Sequence, residues 1–235
     1  MKNRIWELDA ARGLAVLGML AIHFLFDLTE ISGVLSWNEP GWYLLIKNHG
    51  GFLFLAISGI CATLGTRNFR RGVQVFSCGM LCTAVTYVLY RIGAANASIV
   101  IYFGVLHCLG VCMMLWSVLQ KLGKPALLTC TLVLIAGGLA ISPYAFETPW
   151  WLIPVGFCPE WFSSSDYFPL LPNLGFFLLG AYMGRVLYAD KKTRFPGNHG
   201  AFSAFLCAVG RKSLLIYLLH QPVLIGISMG IRALL

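Results

Sequence analysis

The chain has 235 residues, of which 58% are hydrophobic and only 11% are charged, and its mean hydropathy is +0.77. Soluble domains carry about twice this share of charged residues, so the composition excludes an ordinary water-soluble domain and indicates an integral membrane protein. The formal net charge is +8. In so apolar a chain a basic excess marks the loops on the cytoplasmic side, and we therefore predict no nucleic-acid partner.

Apolar runs that approach the length of about 20 residues needed to cross a bilayer recur along the whole chain. We predict an all-α fold, a polytopic membrane helix bundle of about seven transmembrane helices that forms a single domain over residues 1–235. The apolar segment 201–210 is too short to cross and is predicted to lie at the membrane interface. The predicted spans are 10–28, 48–66, 72–90, 98–119, 125–142, 169–188 and 213–233.

The basic residues predict the orientation of these spans, because Lys and Arg are retained on the cytoplasmic side of a membrane. With alternating spans, 14 of the 17 Lys and Arg residues map to one side and 3 to the other. This predicts a cytoplasmic N-terminus and an outer C-terminus. The longest predicted outer loop, 143–168, contains three acidic residues and no basic one, and loops of that length usually have a function.

The first apolar run carries four ionisable residues that a membrane helix does not keep without a use. On an α-helix, Asp9, Arg12, His23 and Asp27 fall within an arc of roughly 60°, so they share one face. We expect this face to point into the protein. At about 1.5 Å per residue, His23 lies roughly 16 Å from Arg12, about half of a hydrocarbon core of about 30 Å.

Three histidines are predicted near mid-membrane and are candidates to converge: His23, His107 and His220. Asp27 follows His23 at i+4, a spacing at which a carboxylate can accept the imidazole proton and raise the basicity of the ring, as a general base requires. Two simpler interpretations stay open. Each histidine can be a neutral ring that hydrogen-bonds between helices, and Asp27 can lie at the outer headgroups.

Basic residues on the predicted cytoplasmic side are candidates for binding an anionic ligand, since guanidinium groups form paired, charge-assisted bonds with phosphates. Retention on the cytoplasmic side explains most of them without a ligand. Arg12 is the exception, because it opens an apolar run. The candidates are Arg12, Arg67, Arg71, Arg211 and Lys212.

The eight cysteines predict no metal site. Seven lie in apolar runs, and the pairs Cys78/Cys82 and Cys108/Cys112 have a helical i,i+4 spacing, which differs from the CxxC spacing of zinc and redox sites. A b-type haem with His107 and His220 as axial ligands is an alternative. Haem is not expected, because it would leave Arg12 and Asp27 without a role; a Soret band would support it.

Several separate motifs resemble the heparan-alpha-glucosaminide N-acetyltransferase catalytic-domain family. The first is the segment 7–15, which reads ELDAARGLA and is followed by Met19 and His23. Further matches lie at 54–59, 102–110, 166–172 and 210–217, so the resemblance covers nearly the whole chain. The Arg-Gly start with a histidine eleven residues after the arginine also resembles the first helix of bacterial membrane-bound sugar O-acyltransferases.

The resemblance implies acyl transfer across the bilayer, from cytosolic acetyl-coenzyme A to a saccharide acceptor on the far side, in a bacterial inner membrane. It implies that Arg12 contacts coenzyme A and that His23 is the general base or the acyl-accepting nucleophile. His107 and Asp27 are then expected on the acceptor side or as groups that orient His23. Membrane lipids are the expected surroundings, and a homo-oligomer is compatible with the sequence.

A transporter or flippase of a lipid-linked or free saccharide is the alternative function, because transporters use intramembrane charges equally well. The two functions differ in their ligand. An acyltransferase of this kind must bind acetyl-coenzyme A, whereas a saccharide transporter has no need of it.

Overall fold

The computed structural model describes residues 5–36, 38–197 and 200–235. Lys2 and Arg4, which belong to the predicted cytoplasmic set, lie outside the described residues. The described residues form eight α-helices and no strand: α1 Trp6–Phe26, α2 Gly41–Leu64, α3 Asn68–Arg91, α4 Val105–Leu119, α5 Lys124–Ile141, α6 Leu170–Leu187, α7 Ala201–Arg211 and α8 Ser213–Leu234. The predicted all-α class is confirmed.

Six helical segments of the described residues are long and apolar enough to cross a membrane, which confirms a polytopic membrane protein. They are Trp6–Ile31, Gly41–Leu64, Asn68–Arg91, Lys124–Ile141, Leu170–Leu187 and Ser213–Leu234. The segment predicted to be interfacial, 201–210, is the short helix α7. The expectation of a full seventh span at 98–119 is wrong, since α4 has only 15 residues and begins at Val105.

Hydrogen bonds from neighbouring segments explain why the chain before α4 is not helical. The Ile101 carbonyl accepts a bond from the Thr83 hydroxyl at 2.6 Å, and the Ile101 N–H donates to the Thr86 hydroxyl at 3.1 Å. The Phe168 N–H donates to the Phe103 carbonyl at 2.9 Å. The backbone of this apolar segment is therefore satisfied outside a helix.

The chain divides into two compact units, of which the first comprises Met1–Phe54 and Asp190–Leu235. Within it, α1 packs against α7 and α8. Glycines permit the close approach of α1 and α7: a Cβ atom on Gly13 would overlap the Leu206 carbonyl, and one on Gly210 would overlap the Asp9 carbonyl. Small residues at such crossings let helix backbones touch.

The C-terminal end of α1 continues into a π-helical turn, Asp27–Ile31. The Ser32 hydroxyl donates to the Asp27 carbonyl at 3.1 Å, and the Thr29 hydroxyl donates to the Leu25 carbonyl at 3.1 Å. Gly33 follows with φ +65°, the left-handed conformation that ends a helix. Turns of this kind occur often at functional sites.

The second unit comprises Leu55–Ala189. In it α3 packs on α4, α5 on α6, and α4 on α6. The buried Trp116 lies at its centre, with the Arg185 guanidinium 5.0 Å from its ring. Arg185 also donates to the carbonyls of Gln120 and Leu122 just beyond α4. This basic residue therefore satisfies backbone acceptors at the end of a helix.

Candidate active site

Two histidines from distant parts of the sequence meet in the first unit. His23 on α1 and His220 on α8 have ring centroids 4.9 Å apart, with an interplanar angle of 77°. His220 is buried and His23 is half-buried. The expected meeting of these two rings is confirmed.

A buried carboxylate lies one helical turn from His23. Asp27 is 0% exposed, and its Oδ1 accepts a hydrogen bond from Gln221 Nε2 at 2.9 Å. An ionisable group in an apolar environment is costly unless it is hydrogen-bonded. The Asp27–Gln221 bond thus links α1 to α8 within the membrane-spanning part of the unit.

The direct pairing of His23 with Asp27, expected from the i+4 spacing, is not found. The carboxylate pairs with the amide of Gln221 instead, because α8 presents an N–H donor to it. The expectation that the polar face of α1 points inward is confirmed, since Asp9 and Asp27 are both buried.

Three atoms of this cluster are buried without a hydrogen-bond partner: Asp27 Oδ2, Gln221 Oε1 and His220 Nε2. The Nδ1 atom of His220 contacts the Tyr217 carbonyl. A carbonyl only accepts, so Nδ1 carries the hydrogen and Nε2 of the neutral ring has a free lone pair. All three unpartnered atoms are therefore acceptors, whereas most buried polar atoms in folded proteins have a hydrogen-bond partner.

Sequence reasoning did not include Gln221 in the site. Its signal was present: Gln221 is a polar residue between His220 and Pro222, within an otherwise apolar membrane helix. No spacing rule relates it to α1, because the partners are 194 positions apart.

The other end of α1 carries the first of the predicted basic residues. The Arg12 guanidinium lies 3.6 Å from Asp9 Oδ1 and is 20% exposed. Gly210 of α7 contacts the Asp9 backbone. Arg211, the next residue, therefore lies at the same end of the α1–α7 contact as Arg12.

Arg211 and Lys212 are exposed at the end of α7. The segment that precedes α7 is fixed to the start of α1 by the carboxylate of Glu7. The Glu7 carboxylate accepts hydrogen bonds from the Thr193 hydroxyl and the Arg194 N–H, both at 2.7 Å. Glu7 thus joins the segment that leads to α7, and so to Arg211 and Lys212, to the start of α1.

The remaining predicted basic residues belong to the second unit. Arg67 is the N-cap of α3 and Arg71 follows one turn later, and both are exposed. Between them, the buried Asn68 donates its amide hydrogens to the carbonyls of Ala62 at 2.8 Å and Gly65 at 3.2 Å. Asn68 thereby satisfies the end of α2 and places the arginines on the surface.

His107 lies in the second unit, in the first turn of α4, and not at the middle of a span as expected. Its Nδ1 accepts a hydrogen bond from the Gly104 N–H at 3.2 Å, and its Nε2 is 3.2 Å from the Thr83 hydroxyl. Because that hydroxyl donates to the Ile101 carbonyl, it accepts the Nε2 hydrogen. Both ring nitrogens are therefore engaged, and the ring joins α3 to the start of α4.

The loop 143–168 meets the start of α4 through Asp166. Its Oδ2 accepts a bond from the Val105 N–H at 3.1 Å, where a carboxylate stabilises a helix N-terminus. Within the same loop, the Cys158 thiol donates to the Tyr167 hydroxyl at 2.8 Å. This hydroxyl donates in turn to the Ile153 carbonyl at 2.6 Å. Burial raises the pKa of Tyr167 and of Cys158, so both are neutral at pH 7.

Among the described residues, no group of three or more His, Cys, Asp or Glu side chains is placed to hold a metal ion. No disulfide joins the cysteines in the part of the chain that the structure describes. The side chains that meet at the site carry imidazole, carboxyl and amide groups.

Comparison with known proteins agrees with the motifs in the sequence. The family model described as heparan-alpha-glucosaminide N-acetyltransferase, catalytic, matches residues 4–222. No curated protein and no solved structure matches the chain significantly. The match spans nearly the whole chain, and six helices are suited to a bilayer. The chain therefore belongs to the heparan-alpha-glucosaminide N-acetyltransferase catalytic family and is a membrane protein of the acetyltransferase kind.

Proposed function

We propose that this protein transfers an acetyl group from cytosolic acetyl-coenzyme A to an amino or hydroxyl group of a saccharide on the opposite side of a bacterial inner membrane. One observation carries the proposal. A single membrane helix, α1, bears an arginine near one end and a half-buried histidine beside a buried polar cluster about 16 Å further along. A donor that enters from one side and an acceptor that enters from the other can meet at such a position.

The reacting group in this proposal is His23. The amino nitrogen or hydroxyl oxygen of the acceptor forms a bond to the thioester carbonyl carbon, and the carbon–sulfur bond breaks. The proton that the acceptor loses ends on the sulfur of coenzyme A. His23 carries that proton as general base, or takes the acetyl group first and passes it on. These two routes differ experimentally, because only the second exchanges label between acetyl-coenzyme A and free coenzyme A without an acceptor.

The donor is proposed to contact Arg12, with Arg211 and Lys212 as its neighbours at the end of α7. Coenzyme A carries phosphates, which guanidinium and ammonium groups bind in charge-assisted bonds. Arg67 and Arg71 in the second unit are further candidates for phosphate contacts. Asp27 and His107 remain candidates for the acceptor side, with His107 restricted by its two existing ring contacts.

Reconstituted vesicles provide the test of this function. Acetyl-labelled acetyl-coenzyme A is supplied on one side and glucosamine, or glucose as a hydroxyl acceptor, on the other. We expect labelled sugar with the wild type and at least a hundredfold less with His23→Ala. His49→Ala is the matched control, because His49 is an exposed histidine in another membrane helix. Equal transfer by His23→Ala and His49→Ala would overturn the assignment of His23.

The alternative function is transport of a saccharide. It is favoured by the unpartnered acceptors Asp27 Oδ2 and Gln221 Oε1 in membrane helices, which suit hydroxyl donors of a passing sugar. Movement of unmodified labelled sugar across the vesicle membrane without acetyl-coenzyme A would support transport and contradict acetyl transfer as the activity.

A further inference from the structure

In the polar cluster of the first unit, Gln221 and its neighbour His220 contact the two α1 groups of the site. Gln221 donates from Nε2 to Asp27 Oδ1 at 2.9 Å. Its neighbour His220 lies edge-on to His23, at 4.9 Å between centroids. His23 and Asp27 are i,i+4 neighbours on α1, so their side chains lie about 5–6 Å apart at Cβ. Gln221 therefore reaches the helical turn that follows His23 on the same face of α1.

An amide differs from a carboxylate in that it donates and accepts through different atoms. Gln221 Nε2 is committed to Asp27, whereas Gln221 Oε1 is buried and has no hydrogen-bond partner. No hydrogen bond joins Gln221 Oε1 to the His23 ring in this structure, so Oε1 is a free acceptor. The only hydrogen that His23 can offer to a carbonyl oxygen is its ring N–H.

We propose that Gln221 is a positioning residue for His23: its Nε2 is held by Asp27, and its unpartnered Oε1 is the acceptor to which the His23 ring N–H is directed. The order is Asp27–Gln221–His23 and replaces the direct carboxylate–imidazole pair expected from the i+4 spacing. This inference rests on the proposed function only for the claim that His23 reacts.

Such a relay fixes one tautomer of His23. A ring whose N–H is directed to Gln221 has its lone pair on the other nitrogen, which is the atom available to take a proton or an acetyl group. Asp27 acts through Gln221 and needs no contact with the ring. This assigns a use to a carboxylate that is 0% exposed inside a membrane helix.

Histidine tautomers can be measured directly by nuclear magnetic resonance on protein labelled with ¹⁵N-histidine in detergent micelles, with His23→Gln used to assign the signal. We expect one dominant tautomer at His23 in the wild type and a mixture in Gln221→Met, which keeps the length of the side chain but removes both polar atoms. A dominant, unchanged tautomer in Gln221→Met would overturn the proposal.

An exchange of the two partners is the matched control. In the double variant Asp27→Asn with Gln221→Glu, the amide donor is on α1 and the carboxylate acceptor on α8. The helix-to-helix bond is retained, and an oxygen still faces His23. We expect it to restore the wild-type tautomer. If Gln221→Met fails to fold, Gln221→Asn, which is one methylene too short to reach both groups, takes its place with the same expected mixture.

The failure of this inference is distinguishable from the failure of the proposed function. In the transfer assay, Gln221→Met is expected to lower kcat about tenfold to a hundredfold, the cost of a misplaced reacting group, with little change in KM for acetyl-coenzyme A. A wild type that transfers nothing refutes the acetyltransferase while the tautomer measurement still decides the role of Gln221. A wild type that transfers and a Gln221→Met variant with unchanged kcat refute the role of Gln221 alone.

Discussion

Replacing Thr83 with valine tests whether His107 holds the fold or reacts. The Thr83 hydroxyl donates to the Ile101 carbonyl at 2.6 Å and lies 3.2 Å from His107 Nε2, and the ring is only 1% exposed. Thr83→Val keeps the side-chain shape but removes both hydrogen bonds. Each net hydrogen bond contributes about 1 kcal/mol, so we expect the free energy of unfolding to fall by about 2 kcal/mol.

The measurement is reversible unfolding in mixed micelles, followed by tryptophan fluorescence. Thr83→Ser is the matched control, because it keeps the hydroxyl, and we expect it to unfold within about 1 kcal/mol of the wild type. If His107 only joins α3 to α4, Thr83→Val will also bind acetyl-coenzyme A like the wild type. A variant of wild-type stability that has lost its activity would refute the structural interpretation of His107 and place the ring among the reacting groups.

Further predictions concern the packing of α7 against α1 and the contacts within the loop 143–168. Gly210→Leu is expected to separate α7 from α1, because any Cβ at this position overlaps the Asp9 carbonyl; protease cleavage near the start of α7 should then increase, whereas Gly226→Leu, at a glycine with open space around it, should leave cleavage unchanged. Tyr167→Phe removes the 2.6 Å bond to the Ile153 carbonyl and should lower the free energy of unfolding by about 1 kcal/mol in the same unfolding experiment. Because burial raises the pKa of the Cys158 thiol, the thiol is protonated at neutral pH, and its reaction with maleimide should be slower than that of the amino acid cysteine in solution. An equal rate would contradict the half-buried Cys158–Tyr167 contact.

Periodicity and hydropathy predicted most of the helices. A membrane helix must satisfy its backbone hydrogen bonds internally, so a long apolar segment of the sequence is enough to predict it. The exception was 98–119. Its first part is as apolar as a membrane helix, but the hydrogen bonds of its backbone are made by Thr83, Thr86 and Phe168. These partners are distant in the sequence, so no local pattern predicts them. For the same reason His107 was expected in the middle of a helix and lies instead in the first turn of α4.

The sequence predicted the site residues that share α1, and it also predicted that His220 on α8 could meet His23. Asp9, Arg12, His23 and Asp27 follow from the geometry of α1, and the burial of the two aspartates agrees with it. Gln221 was missed because its partner Asp27 lies 194 positions away in the sequence. The direct His23–Asp27 bond was expected because residue spacing within one helix does not reveal a competing hydrogen-bond donor on another helix. Intramembrane polar residues are best read as one set across all spans.

The central claim, an acetyltransferase with its donor site at Arg12, is tested most directly by calorimetric titration of purified protein with acetyl-coenzyme A. We expect saturable binding by the wild type and by Arg232→Ala, an exposed arginine in the last turn of α8, and at least tenfold weaker binding by Arg12→Ala, the loss of a charge-assisted phosphate contact. Absence of binding by the wild type would contradict the acetyl-coenzyme A donor, and equal binding by Arg12→Ala would contradict the donor site at Arg12.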